Sequence, residues 1–78
     1  MNNRSKETEN FLSNITYLRK QHMLSKRSMA TILGIGLASL NQIENGQLPP
    51  KLSANVIFRV YEHFGILPYD QFAKHLDD

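Results

Sequence analysis

Leu24-Ser25-Lys26-Arg27-Ser28-Met29-Ala30-Thr31-Ile32-Leu33-Gly34-Ile35-Gly36-Leu37-Ala38-Ser39-Leu40-Asn41-Gln42-Ile43-Glu44-Asn45-Gly46 is the stretch whose reading decides the fold. Ser25 is a good N-cap, because its hydroxyl can accept from a free backbone N–H of the next turn. Met29, Ala30 and Leu33 then share one helical face, and Gly34 stops the helix where a left-handed residue is commonly needed. This predicts a short helix over about Lys26 to Leu33. A second short helix is predicted over about Leu37 to Asn45, with Leu40 and Ile43 as its inward pair and Leu37 or Ala38 joining them at its start. Asn45-Gly46 ends it. The small Ala30 lets the two helices approach closely, Gly34 makes the turn, and Ile35 plugs that turn into the core.

Upstream, Phe11, Ile15, Leu18 and His22 recur at helical spacing from about Glu9, with Leu12 widening the stripe. Residues 1–8 are polar and aperiodic and are read as a flexible arm, or as a frayed start to this helix. Downstream, Gln47-Leu48-Pro49-Pro50 cannot continue a helix. A fourth helix is expected from about Ser53 to Phe64, burying Val56, Ile57, Val60 and Phe64, with Tyr61 at the edge and Gly65 as the stop. Phe58 falls off that stripe and, if exposed, marks a partner surface. Pro68 suits the first position of a fifth helix, whose Phe72 and Leu76 face the core, and Asp70 suits its positive start. Tyr17, Tyr61 and Tyr69 are expected at the edge of the core. The expectation is therefore an all-α fold of five helices, with a single domain over residues 9–78.

The chain of 78 residues has room for one domain. It contains no cysteine, and its three histidines, His22, His63 and His75, are scattered, so neither a disulfide nor a metal site is expected. No apolar run approaches the roughly 18 residues of a membrane helix. The N-terminus lacks the apolar segment of a secretory signal, so a cytoplasmic protein is expected. The net charge of +2 is unevenly spread. Residues 15–51 hold five cations (Arg19, Lys20, Lys26, Arg27, Lys51) against Glu44 alone, whereas residues 52–78 carry a net −2. A basic middle suits a polyanion such as nucleic acid, and equally an ordinary solvated surface.

Two short helices joined by a tight glycine-bearing turn make a helix-turn-helix unit, whose second helix can enter a major groove. The ordered set Leu24-Ser25, Met29-Ala30, Leu33-Gly34-Ile35, Ser39-Leu40 and Ile43-Glu44-Asn45-Gly46 resembles the Cro/lambda-repressor-like helix-turn-helix family. The likeness reaches upstream to Ile15, Leu18 and Arg19 and downstream to Phe64-Gly65-Ile66, covering roughly residues 15–72. It implies a compact five-helix domain and a set of DNA contacts. Lys26 stands where the family has a phosphate contact, usually a glutamine; lysine can reach a phosphate as a point charge. Leu37, Ala38 and Ser39 occupy the exposed start of the recognition helix, where base-reading side chains are normal. Gln42 matches a further reading position. Asn45 and Gln47 match places of frequent phosphate contact.

Several positions depart from the family pattern. Leu37 and Ala38 cannot hydrogen-bond a base edge, although they can pack on a thymine methyl. That leaves Ser39, Asn41 and Gln42 as polar readers, with Asn41 able to point sideways. Gly36 replaces the usual Ser or Thr cap, and the loop after Gly46 is longer than usual, which blurs the place of Lys51. Glu44 has two readings, an acceptor for cytosine or, as the resemblance implies, a buried ion pair with Arg19; the ion pair is preferred. Lys26, Arg27 and Lys51 are the candidate phosphate contacts. Arg4 and Lys6 are read as plain charges of the arm rather than as groove followers.

The function expected from the resemblance is sequence-specific recognition of double-stranded DNA by a transcriptional regulator, a repressor acting as a homodimer. The competing expectation is a protein-interaction module, such as an antitoxin or accessory factor, with the same fold and little specific DNA reading. No catalytic constellation, cofactor site or small-molecule ligand is expected.

Overall fold

The computed structural model describes residues 5–77. All of their regular structure is helical, in the order α1 (Lys6–Gln21), α2 (Lys26–Leu33), α3 (Leu37–Glu44), α4 (Asn55–Phe64) and α5 (Pro68–Ala73). The first helix begins earlier than Glu9, the start expected from its apolar stripe. Ser5 caps it, with a hydroxyl that accepts from the Thr8 N–H at 3.1 Å, and Glu7 and Glu9 fall in the first turn, where the helix dipole favours carboxylates. Residues 5–8 thus belong to the capped start of α1, while Arg4 and its neighbours before Ser5 lie outside the described residues.

The helices pack pairwise: α1 lies against α3 and α5, α2 against α3 and α4, and α4 against α5. Their inward faces meet in one core, made of Phe11, Leu12, Ile15 and Leu18 from α1, Met29, Ala30 and Leu33 from α2, Leu40 and Ile43 from α3, and Val56 and Val60 from α4. Ile35 sits half-buried in the turn after α2, as its plug position required. The turn itself carries Gly34 at φ 71°, and the N–H of Ile35 returns to the Ala30 carbonyl at 3.0 Å, which closes the helix end in the left-handed arrangement glycine permits.

Other positions differ from the pattern reading. Leu37 and Ala38 are both exposed, so neither joins Leu40 and Ile43 inside. The turn rotates the start of α3 outward and leaves Ile35 to fill that corner. His22 lies just past the end of α1 and is exposed, with its ring resting on Phe64 at 4.9 Å between centroids. Tyr69 is 79 % exposed, because α5 turns Gln71 and Phe72 inward instead. Leu76 is half-buried as expected, but it lies beyond the end of α5.

Three buried polar side chains explain how so short a fifth helix stays attached. Asn10 donates to the Phe72 carbonyl at 2.9 Å, and Asn14 donates to the carbonyls of Gln71 at 3.0 Å and Lys74 at 2.8 Å while accepting from the Leu76 N–H at 2.9 Å. Gln71 in turn donates to the carbonyls of Ile57 and Ile66, each at 3.0 Å. The last carbonyls of a helix have no partner within it. Here amides from α1 supply one, and Phe11 stacks on Phe72 beside them at 4.7 Å.

Candidate nucleic-acid interface

The face around α3 is built by what the helix buries. Leu40 and Ile43 are almost fully enclosed, so at 100° per residue the opposite side presents Ala38, Gln42 and Asn45, with Leu37 and Asn41 along one margin and Ser39 along the other. Gly36 caps α3 without a side-chain hydrogen bond, as glycine must.

Arg19 and Glu44 set the orientation of this helix. The guanidinium Nε and Nη2 of Arg19 donate to the two carboxylate oxygens of Glu44 at 2.6 and 3.1 Å, and Nη1 donates to the Leu24 carbonyl at 3.2 Å. The side chains are 16 % and 8 % exposed. The fork is bidentate and largely desolvated, which makes it directional as well as strong. It ties the end of α1 to the end of α3 and engages both carboxylate oxygens of Glu44. The alternative of Glu44 as a cytosine reader is therefore set aside.

This pairing also decides the electrostatics. It is the one ion pair among the described residues, so the single acid of the basic middle is neutralised and the remaining cations there are not. Lys26 at the start of α2 is exposed, and its ammonium donates to the side-chain carbonyl oxygen of Asn41 at 3.2 Å. No carboxylate covers it. The same bond turns Asn41 towards α2, along the margin of α3, the sideways direction left open for it beside its reading as a polar base reader. Arg27 is exposed, and its guanidinium has no hydrogen-bond partner among the described residues.

On the opposite margin an open groove of about 520 Å³ runs between the start of α3, the loop after it and the start of α4. Ser39, Gln42, Lys51 and Arg59 line it, with no acid among its walls. The structure thus brings Ser39, Gln42 and Lys51 to one side of α3, and Lys26 with Asn41 to the other. Leu37 is 43 % exposed, and Ala38, Asn45 and Gln47 are exposed.

Arg59 escaped the sequence reading because it sits in the acidic last third of the chain. Its side chain crosses the turn after α2, where a Cβ added to Gly34 would lie 2.9 Å from its Nε, and its Nη1 donates to the Ile32 carbonyl at 3.4 Å. The available signal was its spacing: one residue before the buried Val60 and three after the buried Val56, it occupies the flank of the stripe that faces α2.

No helix among the described residues is long and apolar enough to cross a membrane. A family model described as helix-turn-helix matches residues 15–70. No curated protein and no solved structure matches the chain.

Proposed function

Because the chain belongs to the helix-turn-helix family of DNA-binding regulatory domains, we propose that it is a sequence-specific regulator of transcription that binds double-stranded DNA through α3. The observation that carries this reading is the charge left over around α3. Glu44 is held by Arg19, while Lys26, Lys51 and Arg59 stand without a carboxylate partner beside α3, and Arg27 stands likewise next to Lys26 at the start of α2. Under this reading α3 enters the major groove. Lys26, Arg27, Lys51, Asn45 and Gln47 fix the register through phosphates, and the exposed start of α3 meets the bases.

The reading includes a homodimer acting as a repressor by covering a promoter. Phe58, 57 % exposed, and Tyr61, 45 % exposed, one turn apart on α4, support an apolar contact between copies. A two-fold pair would set two α3 helices about 34 Å apart along one face of the duplex. Localisation in the cytoplasm, with no small-molecule ligand, is part of the same proposal. Sedimentation at micromolar concentration tests the dimer, and Phe58→Asp is expected to leave a folded monomer.

A second reading is a protein-interaction module, and the exposed, apolar Leu37 and Ala38 favour it. A salt titration of binding to random duplex separates the two. With three phosphates neutralised per subunit, by Lys26, Arg27 and Lys51, log affinity should fall against log salt with a slope of about −2.7 per subunit. Absence of binding at low salt would favour the interaction module.

A further inference from the structure

We infer that α3 selects adenine–thymine pairs, with Gln42 bonding an adenine edge and Leu37 and Ala38 packing on thymine methyls; this rests on the DNA reading above. The polar side chains of α3 are not equally free to read a base. Asn41 already accepts from Lys26 across the motif at 3.2 Å. Glu44 is held by both nitrogens of the Arg19 fork. Ser39 is half-buried at the wall of the groove beside Lys51 and Arg59, turned from the centre of the outward face. Asn45 lies past the last turn, as the cap of the helix.

Gln42 is what remains. It is exposed, it shares a helical row with Ala38 one turn earlier, and its amide has no hydrogen-bond partner among the described residues. An amide carries a donor and an acceptor side by side. Of the four bases, only adenine presents the matching acceptor and donor, N7 and N6, on its major-groove edge. The positions before Gln42 sharpen the choice. Leu37 and Ala38 carry no hydrogen-bonding group, so a guanine or cytosine beneath them would lose water from its edge and gain nothing in return. A thymine offers them its C5 methyl. The chemistry of this face therefore disfavours G·C pairs at its apolar part and favours adenine at its amide.

The test is selection of bound sites by the full chain from a random-duplex pool, followed by affinity measurements on the selected site. The expected result is enrichment of adenine at one position and thymine beside it. Gln42→Ala should erase the adenine preference, and Gln42→Arg should move it to guanine, whose N7 and O6 suit a guanidinium; the discrimination lost should be about tenfold. Replacing the selected thymines by uracil removes only the methyl groups, and should weaken binding about fourfold per buried methyl. That penalty should disappear in the double variant Leu37→Ser/Ala38→Ser, with thermal melts showing that each variant is folded. Enrichment of G·C pairs overturns the inference while leaving the DNA reading intact. So does salt-dependent binding with no base preference, or a uracil penalty that survives in the double variant. Failure to bind any duplex at low salt overturns both.

Discussion

The two sides of α1 are held by different chemistry. Towards the motif, arginines bond carbonyls where helices meet: Arg19 reaches the Leu24 carbonyl in the link between α1 and α2 as well as Glu44, and Arg59 reaches the Ile32 carbonyl at the end of α2. Towards α5, neutral amides do the equivalent work, with Asn10 and Asn14 bonding the carbonyls of Gln71, Phe72 and Lys74. An amide can both donate and accept, so Asn14 satisfies carbonyls and the Leu76 N–H with one side chain. A guanidinium only donates, and so it needs an acid, Glu44, to complete its site. The motif side should therefore fail abruptly when one charge is removed, and the α5 side should loosen locally.

The largest expected effect breaks the motif side. Arg19→Ala or Glu44→Ala leaves a mostly buried charge unpaired and should cost about 3 kcal/mol, which for a domain of this size lowers Tm by roughly 12 °C or more. The double variant Arg19→Met/Glu44→Leu should recover most of that loss, since apolar residues of similar volume replace buried pairs well. Single variants within about 1 kcal/mol of the parent would mean that the pair behaves as an exposed one, and the contrast between the two sides would collapse.

On the α5 side, Asn14→Ala strands two carbonyls and one N–H. It should cost about 2 kcal/mol in urea melts, less than the charged joint. Its distinguishing mark is locality. Hydrogen exchange at the Leu76 amide should accelerate while the amides of α2 and α3 stay protected. Uniform acceleration across all five helices would show that α5 is no separate unit and that both sides fail together.

How far each side was legible follows from the same chemistry. Ala30, Gly34, Leu40 and Ile43 were readable because helical periodicity and a turn glycine are local signals. The Arg19–Glu44 pair was reached only through the family resemblance, since nothing local connects residues so far apart. Asn10, Asn14 and Gln71 were missed. In a pattern, polar residues read as solvent-facing, and their partners here are backbone carbonyls, which every residue has and no sequence announces. Asn10 and Asn14 do stand four apart, each directly before a core residue, Phe11 and Ile15. A polar pair repeating one turn apart beside a buried stripe is the one clue the chain offered. At the interface, the outward residues of α3 were readable as a set, but not which of them the fold already engages. The Lys26–Asn41 bond and the crossing of Arg59 depend on how α2, α3 and α4 meet.

A smaller effect probes that crossing. Gly34→Ala places a methyl group 2.9 Å from the Arg59 Nε at φ 71°, so two costs combine. The backbone part is about 1–2 kcal/mol for an L residue in this region. The contact part is removable, because the exposed Arg59 side chain can move. In a double-mutant cycle with Arg59→Ala, the contact part should vanish and the backbone part should remain. Full recovery in the double variant would assign the whole cost to the arginine and remove the turn geometry from the account.

The smallest expected effect is a gain, at the link between α1 and α2. The N–H of Leu24 bonds the Arg19 carbonyl at 2.9 Å and that of Met23 bonds the Lys20 carbonyl at 3.1 Å, the same closure seen after α2 at Gly34. Here the left-handed position is filled by Met23 at φ 55°, the one non-glycine at positive φ among the described residues. The residue is 92 % exposed, so no burial offsets the backbone cost. That cost is about 1–2 kcal/mol, and glycine returns about 0.4–1 kcal/mol of it by loosening the unfolded chain. Met23→Gly should therefore stabilise the domain by about 0.5–1 kcal/mol, whereas Met23→Ala, which keeps the Cβ, should change little. A gain in both variants would trace the effect to the exposed side chain. A gain in glycine alone would show that the left-handed backbone at Met23, and not its side chain, is what this helix end works against.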